Sequence, residues 1–227
     1  MGAWVVIVAL SSSGLLGLKP PVQARSRATL ERILDATEIL AQHRWFHVLT
    51  VDDIVRAAGV SVGSFYARFP HKEALLSALQ QRYRDQIQSL FDEEFTRRYR
   101  AAELSTRVFG LVNDYVARVR RIRGLIRALS MQARLQPGEM SLEAADLAEM
   151  VTGRISEFLL ECRAEMRHLD PASAIRMGFF VVAAAVREKL IYSEAPHAMI
   201  VKTSDTHLAQ ELAQMFFAYL TAWPTAA

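Results

Sequence analysis

Apolar residues recur every three or four positions along most of the chain, the spacing of helices that bury one face. No strand-like alternation and no internal repeat interrupts this pattern. Leu30, Ile33, Leu34 and Leu40 mark a first helix, and Val51, Ile54, Val55 and Ala58 a short second one. Leu75, Leu76, Leu79, Tyr83, Ile87, Leu90 and Phe91 mark a long helix. Leu104, Val108, Leu111, Val112, Tyr115 and Val119 mark another, interrupted at Arg123-Gly124 and resumed from Leu125 to about Leu135. After a turn at Pro137-Gly138, a helix through Leu147, Ile155, Phe158 and Cys162 is expected to end near His168. Asp170-Pro171 is a start signal, a cap followed by proline at the first helical position. The helix it opens carries Ile175, Gly178, Phe179, Val182, Val186 and Leu190. Ser204 or Asp205 caps a last helix through Leu208, Leu212, Met215, Phe216, Tyr219 and Leu220. The expected fold class is all-α.

The segment from Thr50 to Lys72 is the most specific part of this pattern. Thr50 and Asp53 have the spacing of a short-acid capping box, and Asp52 and Asp53 suit the positive end of a helix dipole. Gly59 follows the last turn, where positive φ is common and glycine adopts it cheaply. Ser61 is a second N-cap and opens a helix expected to run to about Phe69. Phe65 and Phe69, four apart, pack inward, while Ser64, Ala67 and Arg68 share a small or polar face beside Gly63. Two short helices joined by a glycine turn form a helix-turn-helix, which lays its second helix in a DNA major groove. A face without bulk is what approach to base edges requires, and Arg68 is the candidate for two-pronged recognition of a guanine. The plainer alternative is a helical hairpin within an all-helical core. Tyr66 separates the two readings, exposed in the first and half-buried in the second.

These residues resemble the DNA-binding domain of the TetR/AcrR family of transcriptional regulators. The resemblance runs from about Thr29 to Leu79. It rests on Leu30, Ile33, Leu34 and Leu40, then Thr50-Val51-x-x-Ile54, Ala58-Gly59-Val60-Ser61, Gly63-Ser64-Phe65-Tyr66, Phe69 and Lys72-Glu73-x-Leu75-Leu76. Arg44-Trp45, Val55 and His71 depart from the family's usual glycine, alanine and small polar cap. The resemblance implies an N-terminal three-helix domain followed by a helical bundle for ligand binding and dimerisation. Thr50 and Tyr66 would then touch phosphates through their hydroxyls, and Lys72 through its charge. Ser61 would cap the reading helix, and Val62, Gly63, Ser64, Ala67 and Arg68 would face the bases. The implied partners are a double-stranded DNA operator, a small-molecule effector and a second copy of the chain, and the implied activity is repression released by the effector.

Charge distribution agrees with this assignment. Residues 19–84 hold ten Lys/Arg against six Asp/Glu, while the remainder is nearly balanced, so the basic excess lies on the reading segment. The single cysteine, Cys162, excludes an internal disulfide, suits a reducing cytoplasm and reads as a buried structural residue. Residues 1–24 are read as a leader outside the fold, either a mis-assigned start or a disordered segment, because Trp4–Leu10 is apolar with no Lys or Arg before it. Residues 25–80 are read as the DNA-binding domain and 81–227 as the ligand and dimer domain, with no membrane partner expected.

Beyond residue 81 the candidates come from recurring aromatics and methionines. Tyr83, Phe91, Phe109, Tyr115, Met131, Met150 and Phe158 are the candidate pocket residues, since ligand pockets are mostly apolar with a few polar groups. Arg118, Arg120, Arg121, Arg123 and Arg127 read as a solvated face or a contact with the DNA-binding domain, with an anionic-ligand site as the alternative. The stretch Phe179 to Ala185 is apolar nearly all round, so its helix must be covered on several sides. Phe179, Val182, Val186, Leu212, Met215, Phe216 and Tyr219 are accordingly expected at a homodimer interface. Rival classes are an uncharacterised helical enzyme and a membrane-tethered adaptor. The chain has no phosphate-binding glycine loop, His-Glu-x-x-His or nucleophile elbow, so no catalytic residue, cofactor or metal is assigned. His43 and His47 have ligand spacing, but a helix is expected to end between them.

Overall fold

The computed structural model describes residues 24–222 apart from 93, 100, 136 and 137, and leaves the side chains of 24, 25, 89–96 and 139–141 undescribed. The leader therefore lies outside the described residues, as does the Phe91 side chain. Ten α-helices and no strand occur among the described residues. They are α1 (Ala24–His43), α2 (Val51–Ala58), α3 (Val62–Tyr66), α4 (Ala74–Asp92), α5 (Glu94–Tyr99), α6 (Leu104–Leu135), α7 (Glu139–Leu160), α8 (Pro171–Val186), α9 (Pro196–Ile200) and α10 (Asp205–Thr221).

Two hydrophobic cores organise these helices. The first gathers Ile33 and Leu34 of α1, Ile54 and Val55 of α2, Phe65 and Phe69, and Leu75, Leu76 and Leu79 of α4. Phe65 and Phe69 are wholly buried with ring centroids 5.2 Å apart, and each contributes about 1.5–3 kcal/mol of burial. The second core joins α6, α7, α8 and α10 around Val108, Val112, Ile155, Leu159, Ile175, Val182 and Leu212. Helix α6 serves both, because Leu125 and Ala128 near its end belong to the first core and its earlier residues to the second.

The local signals act as their residue types suggest. Thr50 Oγ1 accepts from the Asp53 N–H at 3.1 Å, and Asp53 accepts from the Thr50 N–H at 3.0 Å, a reciprocal cap. Gly59 has φ 62°. The Ser61 hydroxyl accepts from the Ser64 N–H, and Asp170 and Ser204 cap α8 and α10 in the same way. Where the usual cap before α4 is replaced, His71 Nδ1 accepts the Ala74 N–H at 3.2 Å.

Three boundaries differ from expectation. Helix α3 ends at Tyr66, and Ala67-Arg68 continue as a hydrogen-bonded turn into Phe69. The expected break at Arg123-Gly124 is instead a kink at Ile122 (φ −115°, ψ 21°) within a continuous α6. Helix α7 stops at Leu160, not near His168. The following turn swings Cys162 and Met166 into the second core and sets the Glu165 carboxylate on the Leu104 N–H.

Candidate nucleic-acid interface and the cavity behind it

Helix α3 is held from beneath and bare above. Phe65 anchors it in the core, while Ser61, Val62, Gly63, Tyr66 and Ala67 are exposed and Ser64 is half-buried. Val62 is 42% and Tyr66 51% exposed, large fractions for side chains with so much apolar surface. Tyr66 thus has the exposure expected of a reading head, not the half-burial of a hairpin. The Thr50 hydroxyl spends a lone pair on its cap, accepting the Asp53 N–H. Asp53 is held below the usual carboxylate range, first by the Thr50 backbone N–H and then by the Thr50 hydroxyl, with Arg44 at 3.2 Å adding its charge.

Two predicted contacts are already committed within the chain. The Arg68 guanidinium donates to the Ser64 carbonyl at 2.7 Å, and to the Ser26 carbonyl and hydroxyl at 3.2 and 3.0 Å. It ties α3 to the first turn of α1, so two-pronged binding to a guanine requires these bonds to open. Lys72 Nζ donates to the carbonyls of Phe46, His47 and Leu49 at 3.2, 3.1 and 2.8 Å and lies 5.0 Å from the Phe46 ring centroid. Its three hydrogens serve the loop before α2, which leaves only its charge for a phosphate. Pairings 42 and 23–26 residues apart leave no trace in a local motif.

The reading head is fastened to α6 at the end of α1. Gly124 lies against the end of α1 so closely that a Cβ there would sit 2.1 Å from the Ala41 carbonyl oxygen. Gln42 Nε2 donates to the Arg121 carbonyl at 2.8 Å, beside the Ile122 kink. Arg127 donates to the carbonyls of Ala41 and Arg44 at 3.1 and 3.4 Å and stacks on Trp45 at 4.3 Å. On α4, Arg82 pairs with Glu31, Asp35 and Glu38, which locks α4 to α1.

A cavity of 360 Å³ opens beside this junction. Its wall is apolar (Ile87, Leu111, Val119, Val151, Ile155, Phe179), with Tyr83 and Tyr115 set into it and Arg98, Asp114, Arg118 and Arg121 around it. Burial raises the pKa of both tyrosines, so each keeps its phenolic proton. Of the candidate pocket residues with described side chains, these two tyrosines alone line the cavity. Phe158 is core, packed against Tyr99 and under the Arg107 guanidinium, and Phe109 packs on the same core. Met131 and Met150 are half-buried away from the lining.

Residues 33–79 match the family described as bacterial regulatory proteins, tetR family. Over this segment the chain carries a TetR-family DNA-binding domain. No curated protein sequence matches it. Solved structures similar to it include the fatty acid degradation regulator FadR from Bacillus halodurans (22% identity, 83% of this chain and 94% of that one, TM-score 0.59). FadR from Bacillus subtilis in complex with stearoyl-CoA (15%, 83% and 98%, 0.59) and a TetR transcription regulator from Haloarcula marismortui (14%, 86% and 97%, 0.65) are also similar. At these identities the likeness is one of fold.

The expected dimer residues divide in this TetR-family fold. Phe179, Val182, Val186, Leu212 and Phe216 are buried inside the subunit and pack α8 on α10, so they are core and unavailable to a partner. Gly178 permits that approach, because its Cβ would meet the Phe216 ring at 2.2 Å. Met215 and Tyr219 are exposed. The outward stripe that sequence reasoning missed is Met177, Phe180 and Val181, with Phe180 62% exposed. Among the described residues no helix is long and apolar enough to cross a membrane, and no group of three or more metal-ligating side chains is gathered.

Proposed function

We propose that this regulator is a repressor that binds a near-palindromic operator as a homodimer and releases it when a small molecule enters the cavity. The observation that carries the reading is the bare face of α3, where Val62, Gly63, Tyr66 and Ala67 are exposed over a rigid Phe65–Phe69 base. Such a face fits a major groove, with hydroxyls of Thr50 and Tyr66 placed for phosphates. Met177, Phe180, Val181, Met215 and Tyr219 form an apolar stripe on α8 and α10 that suits a twofold four-helix interface. A twofold pair would set two α3 helices about one DNA turn, roughly 34 Å, apart.

Release follows from the junction. Helix α6 borders the cavity with its first half and grips α1 with its second, through Gly124, Gln42 and Arg127. A ligand that prefers a different setting of α6 carries α1 and the reading head with it, and only the difference in affinity between settings counts. The stearoyl-CoA bound to the FadR neighbour is consistent with an effector in this fold. Selection of bound duplexes from a random pool, followed by salt titration, tests the proposal. The expected result is a near-palindromic site and a steep loss of affinity with salt. A protein that ignores every duplex at low ionic strength overturns it.

A further inference from the structure

We propose that the cavity takes an amphipathic organic anion, its compact apolar body inside and its carboxylate or phosphate head held by Arg118 and Arg121 at the junction of α1, α4 and α6. This inference rests on the reading of the cavity as the effector site and names the effector's class.

The interior accepts an apolar body. Its wall is Ile87, Leu111, Val119, Val151, Ile155 and Phe179, and its 360 Å³ lies at the small end of the roughly 300–1,000 Å³ usual for ligand pockets. The Tyr83 and Tyr115 hydroxyls are the polar groups in that wall, and both remain protonated donors.

The charge at the mouth is unbalanced. Nearby arginines are committed: Arg120 to Asp205, Arg127 to the carbonyls of Ala41 and Arg44, and Arg98 to Asp114 at 3.5 Å. The side chains of Arg118 and Arg121 make no hydrogen bond or ion pair among the described residues, although Arg118 is half-buried. Burial lowers the Arg118 pKa, and the neighbouring Arg121 charge lowers it further. Asp114 is the one carboxylate in the cavity lining, and its charge acts on both Arg98 and Arg118, so three guanidiniums face one acid. That excess favours an anion between Arg118 and Arg121, and their planar donors suit carboxylate and phosphate.

The position of the pair is also informative. A second recess, lined by Glu38, Ile39, Gln42, Gln86 and Ile122, shares Arg118 and Arg121 with the cavity. Its one acid, Glu38, is paired with Arg82 at 3.4 Å. A head group between the two arginines therefore sits where Gln42 of α1 holds the Arg121 carbonyl beside the kink. A neutral apolar molecule would fill the cavity without touching that anchor.

Calorimetric titration of the full chain with decanoate, decyl phosphate, decan-1-ol and decyltrimethylammonium tests the proposal; the two anions distinguish a carboxylate from a phosphate head. At least one anion is expected to bind about tenfold or more tighter than the alcohol and the cation. Arg118→Gln with Arg121→Gln should bring that anion to the level of the alcohol, with an unchanged helical circular dichroism signal. Binding of the alcohol or the cation as tight as both anions, or an anion preference that survives the double substitution, overturns the charge assignment. If a probe in that case is still expelled by Val151→Trp, which fills the cavity, the effector site itself stands. Failure of all four probes removes both the class and the site.

Discussion

Gly124→Ala tests the fastening between the reading head and the rest of the molecule. The new Cβ would lie 2.1 Å from the Ala41 carbonyl oxygen, 2.3 Å from its carbon and 2.6 Å from the Gln42 nitrogen. All three are backbone atoms, so no flexible side chain can swing aside. Ordinary contact begins near 3.4 Å, and α1 must retreat by about 1.3 Å at this point to reach it. Overpacking of this kind costs about 1–3 kcal/mol. The same retreat stretches the Gln42–Arg121 and Arg127–Ala41 hydrogen bonds, each worth about 0.5–1.5 kcal/mol. Alanine's helix preference returns about 0.5–1 kcal/mol. The balance is a net loss of about 1–5.5 kcal/mol. Gly153→Ala is the control, because a Cβ there meets nothing within 4 Å in the interior of α7, and it should gain about 0.5–1 kcal/mol. Urea unfolding followed by circular dichroism measures both. A Gly124→Ala protein that unfolds at the same or higher urea than the parent would refute the close-contact argument.

Three further outcomes follow from the site. Lys72→Met should lower the melting temperature, because three carbonyls of the loop before α2 lose their donor, while Tyr66→Phe should leave it unchanged and weaken binding to all duplexes; the opposite ranking in thermal melts and gel shifts contradicts the geometry. Asp53 has a lowered folded pKa, so its contribution to stability is complete above the ordinary carboxylate value of about 3.9 and is lost as pH falls through the lower folded value. Asp53→Asn should therefore flatten the acid side of a melting-temperature–pH profile, and an unaltered slope there counts against the cap. Phe180→Glu with Met215→Glu should give monomers in sedimentation without loss of helix, whereas Phe179→Ala, in the core, should cost about 3–5 kcal/mol of stability; dimers that persist in the first variant exclude this interface.

What could be read from the sequence was what short-range chemistry decides. The reciprocal bonds of Thr50 and Asp53, the left-handed Gly59 and the Ser61 cap each involve residues within about one helical turn, so a linear reading finds them. Helix α8 shows the limit. A helix apolar on both sides has no preferred face, so Phe179 and Phe180 look alike in sequence, yet one is buried within the subunit and the other is open. The end of α7 carried no glycine or proline, and the stop follows from Cys162 and Met166 turning into the second core. Arg68 and Lys72 were found as residues but not as roles, because their partners lie far away in the chain. Among the candidates with described side chains the cavity was legible at Tyr83 and Tyr115 alone, since its lining depends on how five helices face one another.

In the proposed mechanism the kink is the point through which the cavity acts on α3. Before Ile122, α6 contributes Leu111, Val119 and Tyr115 to the second core and its cavity; after it, Leu125 and Ala128 are part of the DNA-binding core. A stiff helix shared by two cores leaves a displacement two outlets, flexing at Ile122 or moving α1. Gly124 against the Ala41 backbone, with the Gln42 bond on one side and Arg127 on the other, closes the second outlet to slack, so motion past the kink moves the reading head. Reversing the balance of such a pair of states from 1:99 to 99:1 requires a ligand preference of about 10⁴, or roughly 5.5 kcal/mol. Filling an apolar cavity that is equally present in both settings supplies none of this. Contacts that exist in one setting only must supply it, and the side of the cavity where α1, α4 and α6 meet is where such contacts can form.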